Sequence, residues 1–150
     1  MTKTTEQKFQ LHANFFFEIT VENLKDLFCT MGQDTSYWCH DIVVGEIKQD
    51  LAGCYILEDN HEYEGNCVWV KDLTLDTKIK ILDIEEDTHE FKVKDVIKAI
   101  ENIVSGKTNL NTYDCGQVFE AFKDNDLGLI DASIADSILQ ITTYNTLVYG

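Results

Sequence analysis

Residues 78 to 106 carry the pattern that most limits the fold. Lys78 to Ile84 alternates in part, with Ile79 and Ile81 followed by Leu82 and Ile84. Glu85-Glu86-Asp87-Thr88 is a polar turn, and His89-Glu90-Phe91-Lys92-Val93 resumes the apolar signal. That is a hairpin. The period then changes from two to 3.6. Val93, Ile97, Ile100 and Val104 make one helical face with Val96 and Ile103 beside it, and Gly106 closes it. A hairpin running straight into an amphipathic helix excludes an all-α and an all-β chain.

The flanks extend the same logic. Phe15, Phe17 and Ile19 alternate with Phe16 and Glu18, which reads as a strand. Thr20 offers an N-cap to a helix through Leu24, Leu27, Phe28 and Met31, stopped at Gly32. Tyr37 to Val44 is aromatic and β-branched and predicts a second strand. Cys67-Val68-Trp69-Val70 gives another strand signal, and Cys54-Tyr55-Ile56-Leu57 some local structure. Val118, Phe119 and Phe122 predict a short helix. Asp131 caps a last one with Ile134, Ile138 and Ile141 on one stripe, which is core or dimer surface. Leu147-Val148-Tyr149 closes as a short strand or a packed tail. The sum is a single α+β domain over residues 1–150, a mostly antiparallel sheet with three to four packed helices. An acidic excursion occupies about 45–66.

Charge sets the choice of partner. Twenty-seven acids face twelve basic residues, all lysine, for a net charge of −15 in 150 residues. Such a surface repels nucleic acid and anionic membrane and attracts basic proteins. Without arginine there is no planar fork to grip phosphate in a bidentate way. The charge is uneven. Residues 41–70 hold seven acids and one lysine, and residues 109–150 hold six and one. Residues 71–108 hold nine acids and seven lysines, so they are close to balanced. No apolar run is long enough to cross a membrane, and the polar N-terminus has no signal-peptide core. A cytoplasmic location follows as the expectation. There the five cysteines, an odd number without a CxxC pair, are expected to be free and mostly buried thiols.

Catalysis has little support. No Gly-x-Ser-x-Gly, Walker loop or GxGxxG occurs. Cys39 and His40 are neighbours, and on a strand neighbours point to opposite faces, so they form no dyad. Glu58-Asp59-Asn60-His61-Glu62 with Glu64 has hard oxygen ligands, but a solvated loop accounts for them better than a cation site. Asp124-Asn125-Asp126 with Gly128 fails the calcium-loop pattern, because the glycine falls one place early and no Glu closes the loop. No cofactor and no resident metal are expected.

Two segments resemble a family of small, largely uncharacterised phage and prophage proteins of Gram-positive hosts. They are Ser36-Tyr37-Trp38-Cys39, and Asp131-Ala132-Ser133-Ile134-Ala135-Asp136-Ser137-Ile138-Leu139-Gln140 with its Leu147-Val148-Tyr149-Gly150 ending. Family members carry Gly-Ile-Thr/Ser-Tyr-Trp-Cys and Asp-Ala-x-x-Ala-Asp-x-x-x-Gln, then a Phe-Gly-Glu-x-Val-Tyr/Phe-Gly tail. Here Gln33 and Asp34 replace the glycines ahead of Tyr37, and Tyr144-Asn145-Thr146 stands for Phe-Gly-Glu. The resemblance implies a phage accessory protein acting in the host bacterial cytoplasm.

These readings lead to an expected role as inhibitor of a bacterial defence system. An acidic surface of Glu46, Asp50, Glu58, Asp59, Glu62 and Glu64 would mimic a phosphate backbone. It would dock on a basic host defence protein: a CRISPR effector, a restriction enzyme or another nuclease. The alternative is a sponge for a nucleotide immune messenger, held by Tyr37, Trp38, Lys71, Lys78 and Lys80. A core aromatic pair at the helix–strand junction competes with that use of Tyr37 and Trp38. A structural or regulatory phage protein is the third reading.

Overall fold

A computed structural model describes residues 7–11, 15–45, 47–49, 62–64, 67–69 and 73–150. Strands β1 (Cys39–Val44), β2 (Ile47–Gln49), β5 (Lys78–Asp83) and β6 (Thr88–Lys92) form an antiparallel sheet in the order β2-β1-β5-β6. Strands β3 (Glu62–Glu64) and β4 (Cys67–Trp69) pair separately, Tyr63 opposite Val68. Of the helices α1 (Val21–Met31), α2 (Val93–Val104), α3 (Thr112–Lys123) and α4 (Ala132–Tyr144), α2 and α4 pack against β6, while α1 packs on α4 and α3 on α2. The fold is a small α+β domain, as the sequence indicates.

The sheet's two faces follow the pleat. Ile79, Ile81 and Asp83 of β5 point inward with Ile42 and Val44 of β1, while Lys78 and Lys80 point out. Ile42 stands opposite Ile81, which locks the register, because a one-residue slip would turn the apolar set to solvent. The β5–β6 hairpin and α2 fall where the sequence puts them. Helix α2 needs no loop before it. Its first amides, Val93 and Lys94, donate to the carbonyls of Thr77 and Leu75 at 3.1 and 3.0 Å, and the Asp95 carboxylate accepts the Lys92 N–H at 2.8 Å. These bonds satisfy donors that a helix start otherwise leaves open. Gly106 takes φ 70° just past the helix, a turn glycine accepts without strain.

The other caps are side chains. Thr20 and Asn23 exchange two bonds at 3.0 and 3.1 Å in a capping box, and Asp131 accepts the Ile134 amide at 2.8 Å. Helix α4 is buried on most of its surface, against α1, α2 and β6. Burial of that breadth makes it the centre of the helical layer.

Four expectations change. Phe15 to Ile19 forms no strand among the described residues; the rings of Phe15 and Phe17 meet Phe119 of α3 edge-on instead, at 5.0 and 5.3 Å. Period-two alternation marks an extended segment and says nothing of whether an edge is free to receive it. Helix α3 begins six residues before Val118, since Asn111 caps it through the Asp114 amide at 2.8 Å. Tyr37 and Trp38 precede β1 in a turn, with the Trp38 and Cys39 amides both donating to the Thr35 carbonyl. The excursion at 45–66 lies largely outside the described residues, as does Cys54 to Leu57. Cys29 is disulfide-bonded, contrary to the free thiol expected, whereas Cys39 and Cys115 are free. Among the described residues no helix is long and apolar enough to cross a membrane.

Candidate functional site

The two segments that carry the family resemblance meet in space. Trp38 is fully buried and donates its indole N–H to Asp136 Oδ1 at 2.6 Å. The Tyr37 hydroxyl donates to Asp136 Oδ2 at 2.6 Å. Gln140, one helical turn on, donates from Nε2 to Asp136 Oδ2 at 3.0 Å and to the Tyr37 oxygen at 2.9 Å. Its Oε1 then accepts the Val148 and Tyr149 amides at 3.0 and 2.9 Å. The i, i+4 spacing of Asp136 and Gln140 puts both on one face of α4. Asn145, left-handed at φ 61°, ends that helix and turns the tail back toward it. Tyr149 thereby stacks on Trp38, with ring centroids 5.8 Å apart and planes 11° from parallel.

A second buried carboxylate lies at the hairpin. Asp83 Oδ1 accepts the Glu85 and Asp87 amides at 2.9 and 3.0 Å. Its Oδ2 meets His89 Nε2 at 2.8 Å and accepts the Tyr144 hydroxyl at 2.9 Å. Tyr144 also packs against His89 at 5.0 Å and Trp38 at 5.8 Å, so one aromatic residue of α4 touches both carboxylate clusters.

The two carboxyls respond oppositely. Burial alone would raise Asp83, but His89, the Asp87 amide, the Tyr144 hydroxyl and the Glu85 amide outweigh it and hold the group at about 2. Burial raises Asp136, and Trp38, Tyr37 and Gln140 only partly offset it. Burial, then the adjacent carboxylate, push the phenols of Tyr37 and Tyr144 above their ordinary value. Asp83, with four donors, has no lone pair left for proton transfer. Cys39 is no better placed for chemistry. Burial pushes its thiol up to about 12, and the thiol donates to the Asp41 carbonyl at 3.4 Å while His40 is exposed. Both clusters therefore act as fasteners of the fold.

The residues expected to touch partners are placed as follows. Glu46, Asp50, Glu58, Asp59 and Lys71 lie outside the described residues, and Glu62 and Glu64 are described only as the strand β3. Trp38 is sealed in the core, so its ring offers no exposed stacking face. Tyr37 is half-exposed at the edge of the Asp136 cluster. Lys78 and Lys80 stand on the outer face of the sheet and share Glu90 at 3.5 and 3.8 Å. They are not beside Tyr37: Lys80 is opposite Val43, and the four steps from Cys39 to Val43 alone span about 13 Å.

Sequence reasoning missed an acidic corner. The Asn23 amide donates to Asn125 Oδ1 at 3.2 Å, which brings the start of α1 against the turn after α3. Asp26, Asp124 and Asp126 are exposed there. The lysines adjacent in sequence, Lys25 and Lys123, lie against Glu22 at 3.9 Å and Glu120 at 3.2 Å. The signal was the near absence of lysine after residue 108. Among the described residues no group of three or more His, Cys, Asp or Glu side chains is placed to hold a metal ion. Asp126 instead caps the short 3-10 turn Leu127–Leu129 through the Gly128 amide at 3.1 Å. No protein-family model, curated protein or solved structure matches this chain.

Proposed function

We propose that this chain is a phage-encoded inhibitor of a bacterial defence effector, acting by stoichiometric binding of an acidic surface to a basic nucleic-acid channel. One observation carries the reading. Of the nine lysines whose side chains are described, seven sit 3.2–3.9 Å from a carboxylate of the same chain. The cations are consumed internally, while Asp26 and Asp124 face solvent with no lysine in ion-pair reach among the described residues. Carboxylates carried on α1 and at the end of α3 suit a groove that reads charge and not base sequence. Glu58, Glu62 and Glu64, acidic positions known from the sequence, are proposed to serve the same contact.

Plaque counts on hosts carrying a CRISPR effector or a restriction enzyme, with and without the chain, test this directly. Protection of phage should vanish in the double variant Asp26→Lys, Asp124→Lys combined with Glu58→Lys, Glu62→Lys and Glu64→Lys. Undiminished protection by that variant, or none by the natural chain on any such host, sinks the proposal. A second reading, the nucleotide sponge, has its own support. Among the described residues Lys78, Lys80, Lys92 and Lys94 share Glu90 and Asp76, so the hairpin face and the adjoining start of α2 are locally positive. A rise in Tm with cyclic dinucleotides, lost in Lys78→Ala, Lys80→Ala, would favour it.

A further inference from the structure

We infer that the N-terminal arm and the groove beneath it form a reciprocal contact between two copies of this chain. The arm exposes large apolar side chains in succession: Phe9 at 83%, Leu11 at 93%, Phe15 at 64% and Phe16 at 90%. Together they present on the order of 600 Å² of apolar surface, at or above the largest patch a typical monomer leaves bare. Residues 15–19 form no strand among the described residues. Beside the arm lies a groove of about 660 Å³, walled by Leu11, Phe15, Phe17, Ile97, Ile100 and Phe122. That volume takes two or three large side chains. Knobs and hole therefore share one face, which is the arrangement a two-fold contact needs: each copy gives what the other receives.

Charge selects a second copy as the occupant. Two chains of net charge −15 repel over most of their surface. This face is different. The arm carries Lys8 and Glu18, and the groove rim carries Lys98, Glu101 and Lys107, three cations against two anions. It can therefore be apposed to itself without the penalty met elsewhere. The area also fits. Burying the arm side chains together with the rim residues Ile97, Lys98 and Lys107 brings each partner toward the roughly 800 Å² of a standard interface. The inference stands apart from the inhibitor reading, because the acidic corner of Asp26 and Asp124 is no part of it.

Sedimentation equilibrium of the full chain, from micromolar to sub-millimolar concentration, tests the inference. A dimer is expected, and it should tighten as salt screens the net repulsion, opposite to the salt response of an acidic face binding a basic partner. Phe9→Ser with Leu11→Ser, both nearly fully exposed, should weaken the dimer roughly tenfold or more with unchanged circular dichroism. Phe16→Asp, on the exposed rim, should do the same and guards against an artefact of one variant. A natural chain that stays monomeric throughout, a dimer indifferent to both variants, or an arm that only a different protein covers each overturns the inference. Should the dimer fail while Asp26→Lys, Asp124→Lys still abolishes protection, the inhibitor reading survives alone.

Discussion

Asp83 and Asp136 are both buried, and both tie a β-side segment to α4, yet their donors differ in kind. Two of the donors to Asp83 are backbone amides of a turn at the surface, joined by an imidazole and a phenol. Asp136 is met by side chains alone, an indole, a phenol and an amide. The comparison shows that burial by itself does not decide a carboxyl's charge. Several donors fixed by the turn's own geometry hold Asp83 ionised. Deeper in the helical layer, three neutral donors do not fully replace the water Asp136 has lost.

Truncation should separate the pair most strongly. Asp136→Ala leaves the Trp38 indole without an acceptor in a dry core and releases Tyr37 and Gln140, at an expected cost of about 4 kcal/mol. Asp83→Ala should cost about 3 kcal/mol, because the amides of Glu85 and Asp87 lie at an exposed turn where water can replace the carboxylate. Urea denaturation of the two variants checks the order, and a costlier Asp83→Ala would reverse the comparison.

Acid titration sharpens it with opposite signs. The folded value of Asp83 lies below its ordinary 3.8, so its stabilisation is complete above about pH 4 and drains away as pH falls toward 2. The amount is about 2 kcal/mol. The penalty of Asp83→Asn should accordingly be full near neutrality and vanish in strong acid. The folded value of Asp136 is raised, so its contribution is complete below about pH 4 and is lost as pH rises through that folded value. Asp136→Asn should therefore hurt most near pH 4 and less at pH 7. Stability curves measured across this range that run parallel for the two variants would deny the difference.

The smallest expected effect concerns Thr35, whose buried hydroxyl has no hydrogen-bond partner while its carbonyl holds the turn before β1. Thr35→Val keeps the shape and deletes the orphan oxygen, and should raise stability by about 0.5–1 kcal/mol. A loss in thermal or urea melts would mean that the hydroxyl supports the Trp38 side of the comparison.

How much of this could be read beforehand follows the range of each interaction. The hairpin and α2 were plain because the period changes within one stretch of chain. Thr20 and Asp131 were readable as caps because a cap bonds three residues away. Helix α3 was half seen, since Thr112 to Gly116 is poor in apolar residues and its start rests on Asn111. The carboxylate clusters were not readable at all. Asp83 is one of nine acids between residues 71 and 108, and Trp38 finds its acceptor 98 positions away. The acidic excursion shows the converse: its charge was obvious, but charge has no period and fixes no geometry.

The clasp joining Trp38, Asp136, Gln140 and Tyr149 has a consequence for how the protein is made. Its members run from residue 38 to residue 149, so a nascent chain on the ribosome cannot complete it until Tyr149 emerges. At about 5–20 residues per second, the indole of Trp38 waits many seconds for its cover. During that interval the sheet and α1 have been synthesised with one side of the core open to water, the moment when chaperones or a second nascent chain would find it.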